Sequence, residues 1–235
     1  MNPTDRRQEI AANLAAVQER IRTSCAEVGR APDEVTLIVV TKFFPASDVR
    51  LLVDLGVRDV GENRHQEAVA KAAECADLDV TWHFIGGLQS NKAAAVAAYA
   101  DCVHSLDRPK LVGPLDRGAG FRTAPLDVLL QVSLDPPGTE RRNGADPDHL
   151  DALAERVTGA EHLRLRGLMA VAPLDEEPAG AFDRLTGIRR RFLASHPAAT
   201  WLSAGMSGDL EEAVRAGATH VRIGSAVLGS RPQVQ

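Results

Sequence analysis

The chain has 235 residues, an ordinary share of apolar and charged side chains, and a net charge of -5. That length buries a full core without a metal or disulfide staple, and an acidic chain with no basic stripe excludes nucleic-acid binding driven by bulk charge. Three scattered cysteines, a polar stretch from Met1 to Ile10 and the lack of any run near the roughly 20 apolar residues of a membrane span point to a reduced, cytoplasmic compartment.

The first thirty residues read as one amphipathic helix. Thr4 or Asp5 can cap it, Ile10, Leu14, Val17 and Ile21 share a face, and Gly29 with Pro32 ends it. A buried strand follows, Thr36-Leu-Ile-Val-Val-Thr-Lys42, with a helix from Ser47 to Leu55. Alternation then continues: strand Val57–Gly61 and helix Asn63–Ala76, strand Val80–Ile85 and helix Ser90–Tyr99, strand Cys102–Leu106 and a helix after Asp107. The fifth strand spans Leu126–Leu134, ahead of a Pro/Gly-rich loop from Asp135 to Pro147 and a helix from Asp148 to Val157. Leu163–Ala170, the helix Ala179–Ala194, a weak strand at Ala199–Ser203, the helix Asp209–Ala216 and the strand His220–Gly224 complete the series. The run Arg189-Arg190-Arg191 falls inside a helical pattern and reads as a solvated face.

Eight strands, each followed by a helical segment, imply parallel βαβ units. They predict an α/β fold: one closed (β/α)8 TIM-type barrel with an extra N-terminal helix, a single domain over residues 1–235. An open doubly wound sheet is the rival, but no G-x-G-x-x-G follows any strand.

Active sites of such barrels gather at the carboxyl ends of the strands. Those ends carry Lys42, Glu62-Asn63, His83 with Gly86, His104, Met169, Gly205-Met206-Ser207, and Arg222 with Gly224-Ser225. An amine at the end of a buried strand is a costly placement for a charge, and it makes Lys42 the candidate reactive group. After the seventh and eighth strands, Gly205-Met-Ser-Gly-Asp209 and Gly224-Ser-Ala-Val-Leu-Gly229 have the small residues and hydroxyls that suit phosphate. Each alone reads as an ordinary turn with a serine cap; together they point to a phosphate site.

A lysine plus a phosphate grip fits a Schiff base with a phosphosugar or with pyridoxal phosphate. Arg222 shares a strand face with Gly224 and reads equally as a barrel salt bridge. If it faces a pyridine nitrogen, that nitrogen must stay unprotonated, which weakens the electron sink and suits racemase chemistry or storage. Glu62, a candidate base, reads rather as orienting Asn63 or pairing with a nearby cation, Cys102 as a small buried apolar residue, and Met169 and Met206 as pocket walls.

The strings Val39-Val-Thr-Lys42, Gly61-Glu-Asn63, Trp82-His-Phe-Ile-Gly-Gly-Leu-Gln-Ser-Asn-Lys92, Arg166-Gly-Leu-Met169, Gly205-Met-Ser207 and Val221-Arg-Ile-Gly-Ser225 resemble the YggS-type pyridoxal phosphate homeostasis proteins. The likeness runs from the first helix to Gly229. It implies a barrel of the alanine racemase N-terminal type that holds pyridoxal 5'-phosphate as a Schiff base on Lys42. It also implies Arg222 at the ring nitrogen, Asn63 and His83 beside the ring, and Ser207, Gly224 and Ser225 at the phosphate. Two departures stand out: Ser225 replaces a frequent threonine but keeps the hydroxyl, and Arg141-Arg142-Asn143-Gly144 lacks the lysine often found in that loop.

The expected function is cofactor homeostasis, with supply to pyridoxal phosphate-dependent apoenzymes by a non-catalytic monomer. The alternative is an amino-acid racemase. Racemases of this fold pair the lysine with a tyrosine on a second domain, whereas the single tyrosine here, Tyr99, falls late in a helix. A phosphosugar aldolase is a third, weaker alternative, and it predicts a colourless protein.

Overall fold

The computed structural model describes residues 3–135 and 144–230. Helix α1 (Pro3–Glu27) buries Ile10, Leu14, Val17 and Ile21 along one side. It stops where Gly29 takes a left-handed φ of 68° and Arg30 N–H returns to the Cys25 carbonyl. Eight strands follow: β1 (Thr36–Val40), β2 (Asp59–Glu62), β3 (Thr81–Phe84), β4 (Cys102–Leu106), β5 (Leu126–Gln131), β6 (Leu163–Met169), β7 (Trp201–Ser203) and β8 (His220–Ile223). All pair in parallel in chain order, and β8 closes on β1, with Ile38 opposite Arg222. The expected TIM-type barrel is the fold.

Between the strands lie α2 (Ala46–Asp54), α3 (His65–Glu74), α4 (Ala93–Ala97), α5 (Val112–Ala119), α6 (Leu150–Thr158), α7 (Pro178–Ser195) and α8 (Leu210–Arg215), with a short α9 (Ser225–Leu228) after β8. Outward residues such as Val39, Val60 and Val221 pack against these helices in one continuous core. Inward residues form a separate group: Ile38, Val40 and Ile85 crowd the space beside Gly61, and Cys102, Leu129 and Met169 cluster beneath Trp201.

Several expected elements are shorter than their sequence patterns, and for three of them the backbone shows why. The second strand begins at Asp59 because Val57 N–H turns back to the Leu52 carbonyl and Arg58 reaches the Val53 and Val57 carbonyls. The helix expected from Ser90 begins at Ala93, since Lys92 N–H closes a turn onto Gln89. The fifth strand ends at Gln131, beyond which Val132 forms a lone bridge with Ala145. Arg141, Arg142 and Asn143 of the loop singled out in the sequence lie outside the described residues. No described helix is long and apolar enough to cross a membrane.

Candidate functional site

Lys42 sits half-buried at the barrel mouth, two residues past the end of β1. The backbone around it is held tightly. Thr41 N–H bonds the Gly61 carbonyl at 2.9 Å, and Phe44 N–H bonds the Thr41 carbonyl at 3.0 Å. Phe43, the next residue after Lys42, adopts a φ of 70°, a left-handed conformation that costs about 1 kcal/mol or more in a bulky residue. It persists because Phe43 N–H donates to Glu67 Oε2 at 3.1 Å and Arg64 lies over the Phe43 ring at 5.3 Å.

A buried ion pair braces the same turn. Lys71 from α3 donates to the Thr41 carbonyl at 2.8 Å and makes a very short contact with Glu62 Oε1, which also accepts from Thr41 Oγ1 at 2.6 Å. Both charged side chains are almost wholly buried. Burial pushes the Glu62 carboxyl up, against the pull of the Lys71 ammonium. Glu62 therefore pairs with a nearby cation, as the sequence suggested.

Arg222 approaches from the neighbouring strand. It is 4% exposed, and Nη1 donates to Ser203 Oγ at 2.7 Å while Nη2 donates to the Ala170 carbonyl at 2.9 Å. Burial lowers its pKa to about 10, so it remains a cation at neutral pH. Among the described residues its hydrogen-bond partners are neutral oxygens, and no carboxylate forms an ion pair with it. Asp209 offsets the charge through space without forming an ion pair, and a buried cation that lacks a direct partner anion is expensive. This site therefore suits a ligand that brings negative charge or an unprotonated acceptor.

The two serine turns flank Arg222. Its backbone N–H donates to the Gly205 carbonyl at 2.9 Å, which seats the turn after β7 beside β8. Gly205 has a φ of 94°, and a Cβ there would come within 2.6 Å of Ala213, so only glycine fits. Met206 N–H donates to Asp209 Oδ1 at 2.5 Å and closes the turn. Ser207 is half-buried, Ser225 is exposed, and no described residue hydrogen-bonds either hydroxyl. Gly224 lies against Val40 of β1, placing the second turn on the strand that leads to Lys42.

Helix α1 ties both turns from outside. Arg20 donates to the Ser207 carbonyl at 3.0 Å and pairs with Glu211, while Asn13 and Arg6 donate to the carbonyls of Val227 and Leu228 at 3.1 and 2.9 Å. These bonds satisfy carbonyls that the four-residue α9 cannot satisfy internally.

Asn63 and His83 occupy different levels. Asn63 follows β2 at the mouth, where its carbonyl packs so closely on Gly86 that a Cβ would fall within 2.2 Å. His83 faces inward, with Nε2 2.9 Å from Asp59 Oδ1 and Nδ1 2.9 Å from His104 Nε2. Cys102 lies beside this pair, and the three potential ligand atoms fall within 4.8 Å of one another. Two nitrogens on one tetrahedral zinc would stand roughly 3.3 Å apart, so the His83–His104 spacing is that of a hydrogen bond.

The family model for "Alanine racemase, N-terminal domain" matches residues 8–232. A pyridoxal phosphate homeostasis protein from Mycobacterium tuberculosis is 44% identical over 246 residues, covering 97% of this chain and 95% of the relative. The chain belongs to the pyridoxal phosphate homeostasis protein family. Another relative of that name, from Escherichia coli, is 39% identical over 233 residues, covering 95% of this chain and 97% of its own. The solved structure of PipY from Synechococcus elongatus with pyridoxal phosphate bound superposes with a TM-score of 0.80 at 37% identity, covering 94% of this chain and 100% of that one.

The match to the family model contains every strand of the barrel and every candidate residue from Lys42 to Ser225. Several residues that shape this candidate site gave little sign in the sequence. Lys71 looks like a surface lysine of an amphipathic helix, Ser203 like an ordinary strand end, and Arg20 like an exposed helix charge. The face alternation of β2 places Asp59 on the side of Gly61, a signal that could have flagged Asp59 as an inward carboxylate.

Proposed function

We propose that the protein binds pyridoxal 5'-phosphate as a Schiff base on Lys42 and serves cofactor homeostasis by holding and supplying it. The donor set fits the group. Lys42 supplies the amine, Arg222 a buried cation with no ion-pair partner among the described residues, and Ser207 and Ser225 two hydroxyls on turns flanking it that no described residue hydrogen-bonds. When bound, the cofactor supplies a reactive aldehyde and a phosphate.

The observation that carries this reading is the buried Arg222, whose guanidinium is hydrogen-bonded among the described residues to the neutral oxygens of Ser203 and Ala170, on the strand paired with the one that leads to Lys42. Its guanidinium keeps a facing ring nitrogen unprotonated. Asn63 and His83 stand on the β2–β3 side, Met206 walls the pocket, and Gly224 with Ser225 and Ser207 takes the phosphate. The resemblance to family members with this name and to PipY with its bound cofactor supports the assignment.

Storage and supply are favoured over racemisation because Lys42 has no tyrosine counterpart within the chain. Tyr99, the single tyrosine, lies just past α4, stacked 5.9 Å from His65. The protein then acts as a cytoplasmic monomer without catalytic turnover, a setting that suits its three free, buried cysteines. The test uses cofactor-loaded protein, an apoenzyme that needs the cofactor, and an enzyme that destroys free aldehyde. Activation of the apoenzyme is expected. Rapid racemisation or multiple solvent-deuterium exchange of an added amino acid would instead establish an enzyme.

A further inference from the structure

The interior of a (β/α)8 barrel is ordinarily filled by layers of branched apolar side chains. Here a line of five polar side chains from five strands crosses it. Asp59 Oδ1 meets His83 Nε2 at 2.9 Å, His83 Nδ1 meets His104 Nε2 at 2.9 Å, and His104 Nδ1 meets Ser203 Oγ at 2.9 Å. Ser203 Oγ accepts from Arg222 Nη1 at 2.7 Å. His83, His104, Ser203 and Arg222 are all less than 5% exposed, whereas the Asp59 side chain retains access to solvent.

The two ends dictate the direction of every bond between them. A guanidinium only donates and an ionised carboxylate only accepts. Ser203 Oγ already accepts from Arg222, and its own proton has one acceptor among the described residues, His104 Nδ1. Were His104 Nδ1 protonated instead, the serine proton would be stranded in a dry interior, at a cost of a few kcal/mol. A neutral His104 then carries its proton on Nε2 and donates to His83 Nδ1. His83 in turn carries its proton on Nε2 and donates to Asp59. Reading back from Asp59 gives the same order.

The surroundings favour a neutral His104 ring. Burial, with His83, Arg222 and His220 close by, holds the His104 pKa well below the usual imidazole range.

We propose that Ser203, His104, His83 and Asp59 form a hydrogen-bonded relay of fixed proton order that positions Arg222 from below, linking a solvent-accessible carboxylate to the cofactor pocket. The relay rests on the reading above for its effect on cofactor, but not for its proton order. Ser203 and the Ala170 carbonyl each take one Nη group, so the guanidinium plane is held at two points. Loss of the Ser203 hydroxyl frees one of those points and strands His104 Nδ1. The four residues are positioning residues, since none of them needs to touch the cofactor to act.

The test has two arms. In cofactor-free protein labelled with 15N-histidine, long-range proton–nitrogen spectra should show His83 and His104 both neutral with the proton on Nε2. A proton on Nδ1 of either ring, or an imidazolium at neutral pH, would overturn the relay. In protein loaded with pyridoxal phosphate, Ser203→Ala should release the cofactor about tenfold faster, the size of one hydrogen bond to a charged group, and shift its visible absorption band. Ser203→Thr, which keeps the hydroxyl, should restore both. An unchanged release rate and band in Ser203→Ala, with the cofactor still bound, overturns the relay and leaves the binding reading intact. Failure of the unaltered protein to take up pyridoxal phosphate overturns the binding reading, and the cofactor-free spectra then decide the proton order.

Discussion

Arg222 donates through Nη1 to Ser203 Oγ at 2.7 Å, a buried cation resting on a neutral hydroxyl. Replacing Arg222 by glutamine removes an unpaired buried charge and leaves a side chain that can still donate to Ser203. The folded protein without cofactor should therefore lose no more than about 1 kcal/mol. Affinity for pyridoxal phosphate should fall at least about tenfold, as expected for a hydrogen bond to a charged group. Urea unfolding and a cofactor titration on the same variant separate the two effects.

The Lys71–Glu62 pair makes the opposite prediction for stability. Lys71→Met strands a buried carboxylate whose second oxygen, Oε2, already has no partner, and should cost about 3–5 kcal/mol. Adding Glu62→Gln should recover much of that loss, because the charge is removed along with its partner. A double variant no more stable than Lys71→Met in urea unfolding would show that the pair matters through packing, not charge.

Two inward histidines make stability depend on pH. Burial lowers the His220 pKa to about 4, and His104 is pushed down as well. Both rings are neutral when folded but charge near pH 6.5 when unfolded. The unfolded state therefore binds more protons below that point, and stability present above pH 6.5 is lost as pH falls toward the folded value. His220 alone should cost about 2 kcal/mol between pH 7 and 5, with His104 adding to it. Urea unfolding across that range checks the slope, and His220→Gln should flatten part of it.

Arg20 links the N-terminal helix to the Ser207 turn, the proposed phosphate site, through the Ser207 carbonyl and Glu211. Arg20→Ala should weaken cofactor binding about threefold to tenfold, the range for losing one net hydrogen bond that orders the turn, while the barrel itself stays folded. Cofactor titration with circular dichroism as a control measures this.

The fold was legible because each buried strand announces itself as a short apolar run, and eight of them alternate with helical patterns. Lys42 and Arg222 stood out for the same reason: a charge at or in an apolar strand is visible one residue at a time. The relay was not, since the meeting of Asp59, His83, His104 and Ser203 depends on which residues of four strands face inward and at what height. The fourth helix came out as Ala93–Ala97, not Ser90–Tyr99, because alanine-rich composition hides the turn that Asn91 and Lys92 make. Lys71 was hidden by its helix, where a lysine ordinarily faces water and here reaches the Thr41 carbonyl.

A Schiff base needs a lysine, and the chain offers four: Lys42, Lys71, Lys92 and Lys110. Protein incubated with pyridoxal phosphate, reduced with borohydride and digested should carry a single reduced phosphopyridoxyl group on the peptide containing Lys42. Label on Lys71, Lys92 or Lys110 in its place, or an equally efficient adduct in Lys42→Ala, would contradict the account.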